Sequence, residues 1–218
     1  MSDAAQRTSA DTRERILDAA EALFAANGFD GTGVRAITGQ AGVNPAAVSY
    51  HFGGKEGLIR EVFRRRLHWL NTERLLRLDG LEAGAGGVPL KPVAIIDAFF
   101  GPALELAADT ENGGHAFMQL LGRACADPVV FVRRFLAEGS APMLERFRVA
   151  LMRALPLVPE EEILWRLTFM LGATSFAIAG TDTLRVVSGL GASSSDPSAL
   201  APRLMSFLLG GMRAPLPA

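Results

Sequence analysis

Residues Thr32–Lys55, TGVRAITGQAGVNPAAVSYHFGGK, decide how the rest of this 218-residue chain is read. Ile37 and Ala41 lie four apart, as do Val48 and Phe52, so two short helices each present a narrow apolar face. Between them stands Gly42-Val43-Asn44-Pro45. Gly42 accepts the positive φ that ends the first helix, and Val43 drops between the two. Asn44 caps the second helix, and Pro45 suits its first position, where no backbone N–H is needed. Two helices, a glycine turn and small residues at the crossing make a helix-turn-helix.

The motif extends by fixed spacing through Thr32, Ile37, Ala41, Gly42, Val43, Val48, His51, Phe52, Lys55 and Leu58. In this pattern the chain resembles the amino-terminal domain of the TetR family of bacterial transcriptional regulators, and the match reaches back to about Thr12. One position departs: Ser49 follows the aliphatic Val48, where most members carry Tyr, and Tyr50 comes next. The resemblance implies a three-helix DNA-binding domain followed by a helical core domain. It also implies a homodimer paired through the last two long helices, and backbone contacts from Thr32, His51 and Lys55.

Composition fits an ordered globular protein, with 49% hydrophobic and 21% charged residues. No apolar run reaches membrane-span length, and MSDAAQRTSAD lacks an apolar signal region, so no membrane partner is expected. The single cysteine, Cys125, excludes an internal disulfide and suits a reducing cytoplasm. A net charge of −1 sits poorly with a nucleic-acid binder until it is divided. Residues 1–78 carry 11 Lys+Arg and 9 Asp+Glu, leaving 11 and 14 for the remainder, so the basic side is the helix-turn-helix side.

Along the chain, residues 1–10 read as a disordered terminus and 11–57 as the DNA-binding domain. Its first helix carries Ile16, Leu17, Ala20, Leu23 and Phe24 on one face, ends at Asn27-Gly28, and is followed by the anchor Phe29. A connecting helix covers 58–78, its far face rich in arginine: Arg60, Arg64, Arg65, Arg66, Arg74 and Arg77, read as solvated. Residues 79–91, rich in Gly and Ala, read as a hinge loop, and 92–213 as an effector-binding and dimerisation domain. Helices are expected over roughly 92–109, 113–125, 128–138, 140–154, 160–180 and 197–212, with joints at glycine and proline. No strand pattern occurs. The fold class is all-α.

No enzyme, cofactor or metal site is expected. His51, His68 and His115 do not share metal-ligand spacing. Cys125 has no neighbouring base and reads as a small buried residue, Ser193-Ser194-Ser195 lack a nucleophile-elbow pattern, and Glu160-Glu161-Glu162 suit a helix start.

On the second helix of the motif, Val48 and Phe52 point one way, and Tyr50 points the other with Ala46 and Ala47 beside it. That surface offers methyl groups and, from Ser49 and Tyr50, hydroxyls, but few bidentate base contacts. Arg35 is either a guanine or phosphate contact or a solvated side chain. Thr32 reads as the cap of a helix starting at Gly33, making an anion site, and Gly53-Gly54-Lys55 opens a second helix N-terminus beside a lysine.

Two such units are needed for tight binding to duplex DNA. Trp165, Phe169, Gly172, Phe176 and Gly180, then Leu204, Phe207 and Leu208, form stripes that are either a dimer interface or internal core. Phe99, Phe100, Phe117, Met118, Leu121, Phe131 and Phe135 line either an apolar effector pocket or plain core, with Arg123, Arg133 and Arg134 as nearby cations for an acidic head. The helix around Trp165 resembles that of a TetR branch whose members respond to fatty acids or acyl derivatives. The expected function is a repressor released from a palindromic operator by an apolar or acyl-type molecule. The alternatives are an activator or effector-independent DNA-binding protein of the same fold and, more distantly, an all-α lipid-binding protein or enzyme.

Overall fold

The computed structural model describes residues 2–126, 130–178 and 197–216, and every regular element among them is a helix. In chain order these are α1 (Ser2–Asn27), α2 (Val34–Ala41), α3 (Ala46–Phe52), α4 (Lys55–Ala85), α5 (Pro92–Ala108), α6 (Gly114–Ala126), α7 (Val130–Ala154), α8 (Glu160–Ile178) and α9 (Pro197–Met212). Among the described residues, none of these helices is long and apolar enough to cross a membrane.

The first three helices and the start of α4 enclose a small core of Ile16, Leu17, Ala20, Phe24, Ile37, Val48, Phe52 and Leu58, all buried. The apolar spacing of α1 dictates this face, with Leu23 packed at its margin. Phe29 is buried after the Gly28 turn and stands between Phe24 and Phe63, with ring centroids 5.4 and 5.9 Å away. Phe63 of α4 then meets Phe117 of α6 at 6.0 Å. The aromatic contacts therefore run unbroken from the first helices into the carboxyl-terminal bundle.

Three boundaries differ from the sequence reading. α1 begins at Ser2, not Asp11, because no glycine or proline interrupts the alanine-containing turns ahead of the periodic segment. α4 continues through Gly80 and Gly84 to Ala85, so the expected hinge over 79–91 shrinks to residues 86–91. Leu78 and Leu81 hold these turns against the core, and the stop falls at Gly86, whose φ of 57° closes the helix in the left-handed conformation. The pieces expected at 128–138 and 140–154 are one helix, α7, passing through Pro142. Met143, Phe147, Ala150 and Leu151 bury one continuous face, and that burial outweighs the single backbone bond a proline removes.

The turn from α3 into α4 is close-packed. A Cβ at Gly57 would lie 1.8 Å from the Phe52 carbonyl oxygen, whereas one at Gly39 in α2 meets nothing within 4 Å. Gly57→Ala should therefore cost about 3 kcal/mol or more, while Gly39→Ala should be neutral or gain up to about 1 kcal/mol from helix propensity. Chemical denaturation of both variants checks this, and equal stabilities would contradict the close approach at Gly57.

Candidate nucleic-acid interface

The α2–α3 turn is built by local chemistry. Gly42 has φ 64° and ψ 40°; its N–H donates to Gly39 O at 3.2 Å, and Val43 N–H donates to Thr38 O at 3.0 Å. These two bonds close the end of α2. The Arg15 guanidinium of α1 adds donors to the carbonyls of Ala41 and Gly42. Asn44 Oδ1 accepts from Ala46 N–H at 2.8 Å, and Pro45 already has helical dihedrals at the start of α3. The side chains of Asn44 and Pro45 stand on the surface.

α3 turns Val48 and Phe52 inward and leaves Ala46, Ser49 and Tyr50 exposed, with Ala47 and His51 half-buried. Tyr50 is 82% exposed and meets the His51 ring edge-on at 4.9 Å. On this seven-residue helix Tyr50 therefore points away from the core. Arg35 of α2 is exposed as well.

Two helix starts flank this surface. α2 begins after Gly33 and α4 after Gly54, and neither N-cap receives a side-chain hydrogen bond. Their first N–H groups remain available to an anion. A Cβ at Gly33, Gly53 or Gly54 would meet nothing, so an anion can approach the backbone closely at each. Lys55 is the first residue of α4 and supplies a cation at the second start.

Thr32 does not play the part expected of it. It is 1% exposed, and its hydroxyl donates to Gly28 O at 2.8 Å with Leu23 O at 3.1 Å. The cap position belongs to Gly33, and the threonine instead ties the end of α1 to the start of α2.

The arginines expected to be solvated along α4 are largely held by carboxylates. Arg65 reaches Asp18 at 2.7 Å, Glu14 at 3.2 Å and Glu21 at 2.8 Å. Burial works to lower the Arg65 guanidinium, yet the hydrogen bonds to Glu21 and Asp18 raise it above its ordinary value. Arg66 pairs with Glu21 at 2.8 Å and donates to Asn112 O, in the loop before α6, at 2.7 Å. Arg64 pairs with Glu61 at 2.8 Å, and its hydrogen bond holds the Glu61 carboxyl below the usual carboxylate range; Arg13 reaches the same carboxylate. A cavity of about 450 Å³ opens beside this network, lined by Arg65, Arg66, Trp69, Glu105, Leu106 and Asp109.

In the bundle, Phe99, Phe100, Phe117 and Met118 are buried, with Leu121 and Phe135 at the core margin. The cavity just described is not lined by any of them. Phe99 touches Phe100 and Phe147 at 4.8 and 5.0 Å, while Phe117 belongs to the chain of rings leading to α1, so the expected set divides between two clusters. Arg123 donates to Ala25 O at 2.7 Å and Arg134 pairs with Glu138 on the surface, so neither faces the aromatic interior. The side chains of Phe131, Arg133 and Cys125 lie outside the described residues, as do Gly180 and Ser193–Ser195. Among the described residues, no three His, Cys, Asp or Glu side chains gather as metal ligands.

The expected self-association stripe also divides. Trp165, Phe169, Phe176 and Phe207 are 52, 65, 57 and 68% exposed, Gly172 is exposed among them, and the Trp165 and Phe169 rings stack at 5.7 Å. Leu204 and Leu208, by contrast, are buried within the subunit, because that side of α9 packs against α5 and α8. Arg166 fixes the α8–α9 pair by donating to Met212 O at 2.7 Å and pairing with Glu162 at 2.8 Å.

Comparison with known proteins agrees with this architecture. Residues 16–62 match the model for bacterial regulatory proteins of the tetR family, and residues 97–211, over half of the chain, match the tetracyclin repressor-like C-terminal domain. The HTH-type transcriptional regulator SrpR of Pseudomonas putida is 36% identical over 101 residues, 45% of this chain and 46% of its own. The probable HTH-type regulator YttP of Bacillus subtilis is 45% identical over 51 residues, 23% of this chain and 25% of its own. The matches thus span between a quarter and about half the length of these two curated relatives. Among solved structures, the fatty acid degradation regulator FadR of Bacillus halodurans has a TM-score of 0.63 at 17% identity, over 94% of this chain and 97% of its own. FadR of Bacillus subtilis, in complex with stearoyl-CoA, has 0.60 at 17% identity, over 91% and 98%. At such identities the likeness is one of fold.

The inward turn of Thr32 separates a structural from an anion-binding role. Thr32→Val should lower stability by about 1–2 kcal/mol through loss of buried hydrogen bonds, whereas Tyr50→Ala should change it by less than about 0.5 kcal/mol. Thermal or urea unfolding reads both. An unchanged Thr32→Val stability would contradict the buried bonds.

Proposed function

The chain belongs to the TetR family of bacterial regulatory proteins, and from that membership we propose that it regulates transcription by binding a palindromic DNA operator as a homodimer and releasing it when an apolar or acyl-type molecule enters the bundle. The observation that carries the first half is the exposed Ala46-Ser49-Tyr50 surface held between two uncapped helix starts at Gly33 and Gly54. The N–H groups of those starts and Lys55 bind phosphates and fix orientation, and α3 enters the major groove. Tyr50 and Arg35 are then the side chains that reach base edges or phosphates. The half-buried His51, whose ring meets that of Tyr50, then adds a phosphate contact.

One such unit offers few base contacts, so affinity depends on a second copy bound one groove repeat away. The face formed by Trp165, Phe169, Gly172, Phe176 and Phe207 supports pairing through α8 and α9, because large aromatic groups left in water are costly until covered. The fold shared with the stearoyl-CoA complex of Bacillus subtilis FadR supports an acyl-type effector, as does the buried cluster of Phe99, Phe100 and Phe147. The effector must favour a conformation in which the two α3 helices no longer match successive grooves, by about 1–3 kcal/mol. α4, spanning both parts, transmits the change. The function is binding, and no catalytic step is assigned.

Selection of bound sequences followed by footprinting tests the reading directly: half-sites related by a dyad are expected, and a protected site without dyad symmetry would contradict it. Lys55→Ala should weaken binding to all sequences alike and lower the salt dependence by about one unit, whereas Tyr50→Ala should change sequence preference as well. Phe169→Glu places a charge in a desolvated contact, so sedimentation should show monomers and operator affinity should collapse. A Phe169→Glu protein that remains dimeric would move the interface off α8.

A further inference from the structure

Arg74 was expected on the solvated face of α4, yet it is 8% exposed. Its guanidinium lies over the Phe99 ring, 4.4 Å from the centroid, with Nε donating to Phe99 O at 2.8 Å and Nη1 to Asn71 Oδ1 at 3.2 Å. Both acceptors are neutral. Among the described residues, no carboxylate forms an ion pair with it. Most carboxylates on the surrounding helices are engaged elsewhere, Glu73 and Glu105 with Arg77, Asp79 and Glu82 with Arg146, Glu138 with Arg134, and Glu145 with Arg148, while Asp97 of α5 stands exposed on the surface. Burial alone pushes the Arg74 guanidinium down to about 10, so it remains a cation at neutral pH. A buried charge without a counter-charge is strongly unfavourable unless something else offsets it.

Building on the apolar-effector reading above, we propose that Arg74 is the receptor for a carboxylate at the head of that effector, whose chain lies among Phe99, Phe100 and Phe147. A guanidinium presents two parallel donors to a carboxylate, and in a dry site such a bond is at its strongest. Phe99 joins the two halves of the site, one face under Arg74 and its ring in T-shaped contact with Phe100 and Phe147. The walls beside Arg74 each carry a proline inside the helix, Pro102 on α5 and Pro142 on α7. Pro102 gives no N–H to the Ala98 carbonyl, one residue before Phe99, and Pro142 gives none to that of Glu138. Asn71, the second partner of Arg74, reaches Gly139 O and Ser140 Oγ in this same turn of α7. Among the described residues no backbone hydrogen bond joins α5 to α7, so their separation there admits a chain without breaking one. A cation on α4 that gains its counter-charge from the ligand also places ligand recognition on the helix that leads to the DNA-binding domain.

The test compares dodecanoate with dodecanol, which share a chain and differ in head charge, on the full-length protein by calorimetry. Wild type should bind the acid at least about tenfold tighter than the alcohol (about 1.4 kcal/mol), and Arg74→Gln should bring the acid down to the alcohol's affinity while leaving the alcohol unchanged. Should Arg74→Gln fail to fold, dodecanoate labelled with ¹³C at its carboxyl answers on the wild type alone: next to Arg74 the bound carboxyl titrates below its free value. A bound carboxyl that titrates above its free value, no preference for the acid, or a preference retained by Arg74→Gln would overturn the role of Arg74 while leaving an apolar site intact. Failure of both probes to bind would overturn the apolar-effector reading, and this inference with it.

Discussion

The carboxylate of Glu21 is the point on which the two halves of the subunit are joined. It lies on α1, 4% exposed, and is held by Arg65 and Arg66 of α4. Arg66 also holds the carbonyl of Asn112, so the loop before α6 is drawn to the same place. That loop comes close because Gly113 has no side chain: a Cβ there would sit 3.0 Å from Arg66 Nη2 and 3.1 Å from Glu21 Oε1. Removing one member of a buried pair costs about 3–5 kcal/mol because the other is left uncompensated. With the rings of Phe24, Phe29, Phe63 and Phe117, this network fastens α1, α4 and α6 to one another. On the proposed reading, a displacement of the bundle reaches α2 and α3 through packed elements rather than across a loose linker.

The same pairing explains how a chain of net charge −1 can serve a polyanion. Arg64, Arg65 and Arg66 bind carboxylates of the subunit itself, so they add little positive field. What faces outward around α3 is backbone: the starts of α2 and α4, opened by Gly33 and Gly54, with Lys55 and Arg35 beside them. Helix starts fix a phosphate in one geometry, whereas lysine and arginine side chains attract it from many. On the proposed reading, register comes from these donors and the dimer, and Tyr50 adds a small amount of direct readout.

How much of this was legible in the sequence depended on the range of the interaction involved. The turn at Gly42, the cap by Asn44 and the inward pair Val48 and Phe52 follow from residues within a few positions of each other, and all stand as read. The course of α4 past Gly80 and of α7 past Pro142 was not legible, because burial of Leu78 and Phe147 against distant helices overrides the local breakers. Thr32 was misread because its acceptors, Gly28 and Leu23, are carbonyls that only the folded path of α1 brings near. Leu204 and Leu208 share an apolar helix with the exposed Phe207, and periodicity alone does not say which side meets its own subunit. Arg74 was the furthest from reach: an arginine on a helix reads as solvated until Phe99, from another element, is laid against it.

On the proposed reading, occupation of the bundle changes the separation of the two DNA-reading units. A spin label at Gly39→Cys, in open space on α2, with Cys125 replaced by Ser, reports that separation by pulsed electron resonance on the dimer. One narrow distance distribution is expected on operator DNA, and a displaced or broadened one when dodecanoate releases it. Release of DNA by the ligand with an unchanged distribution would contradict the account.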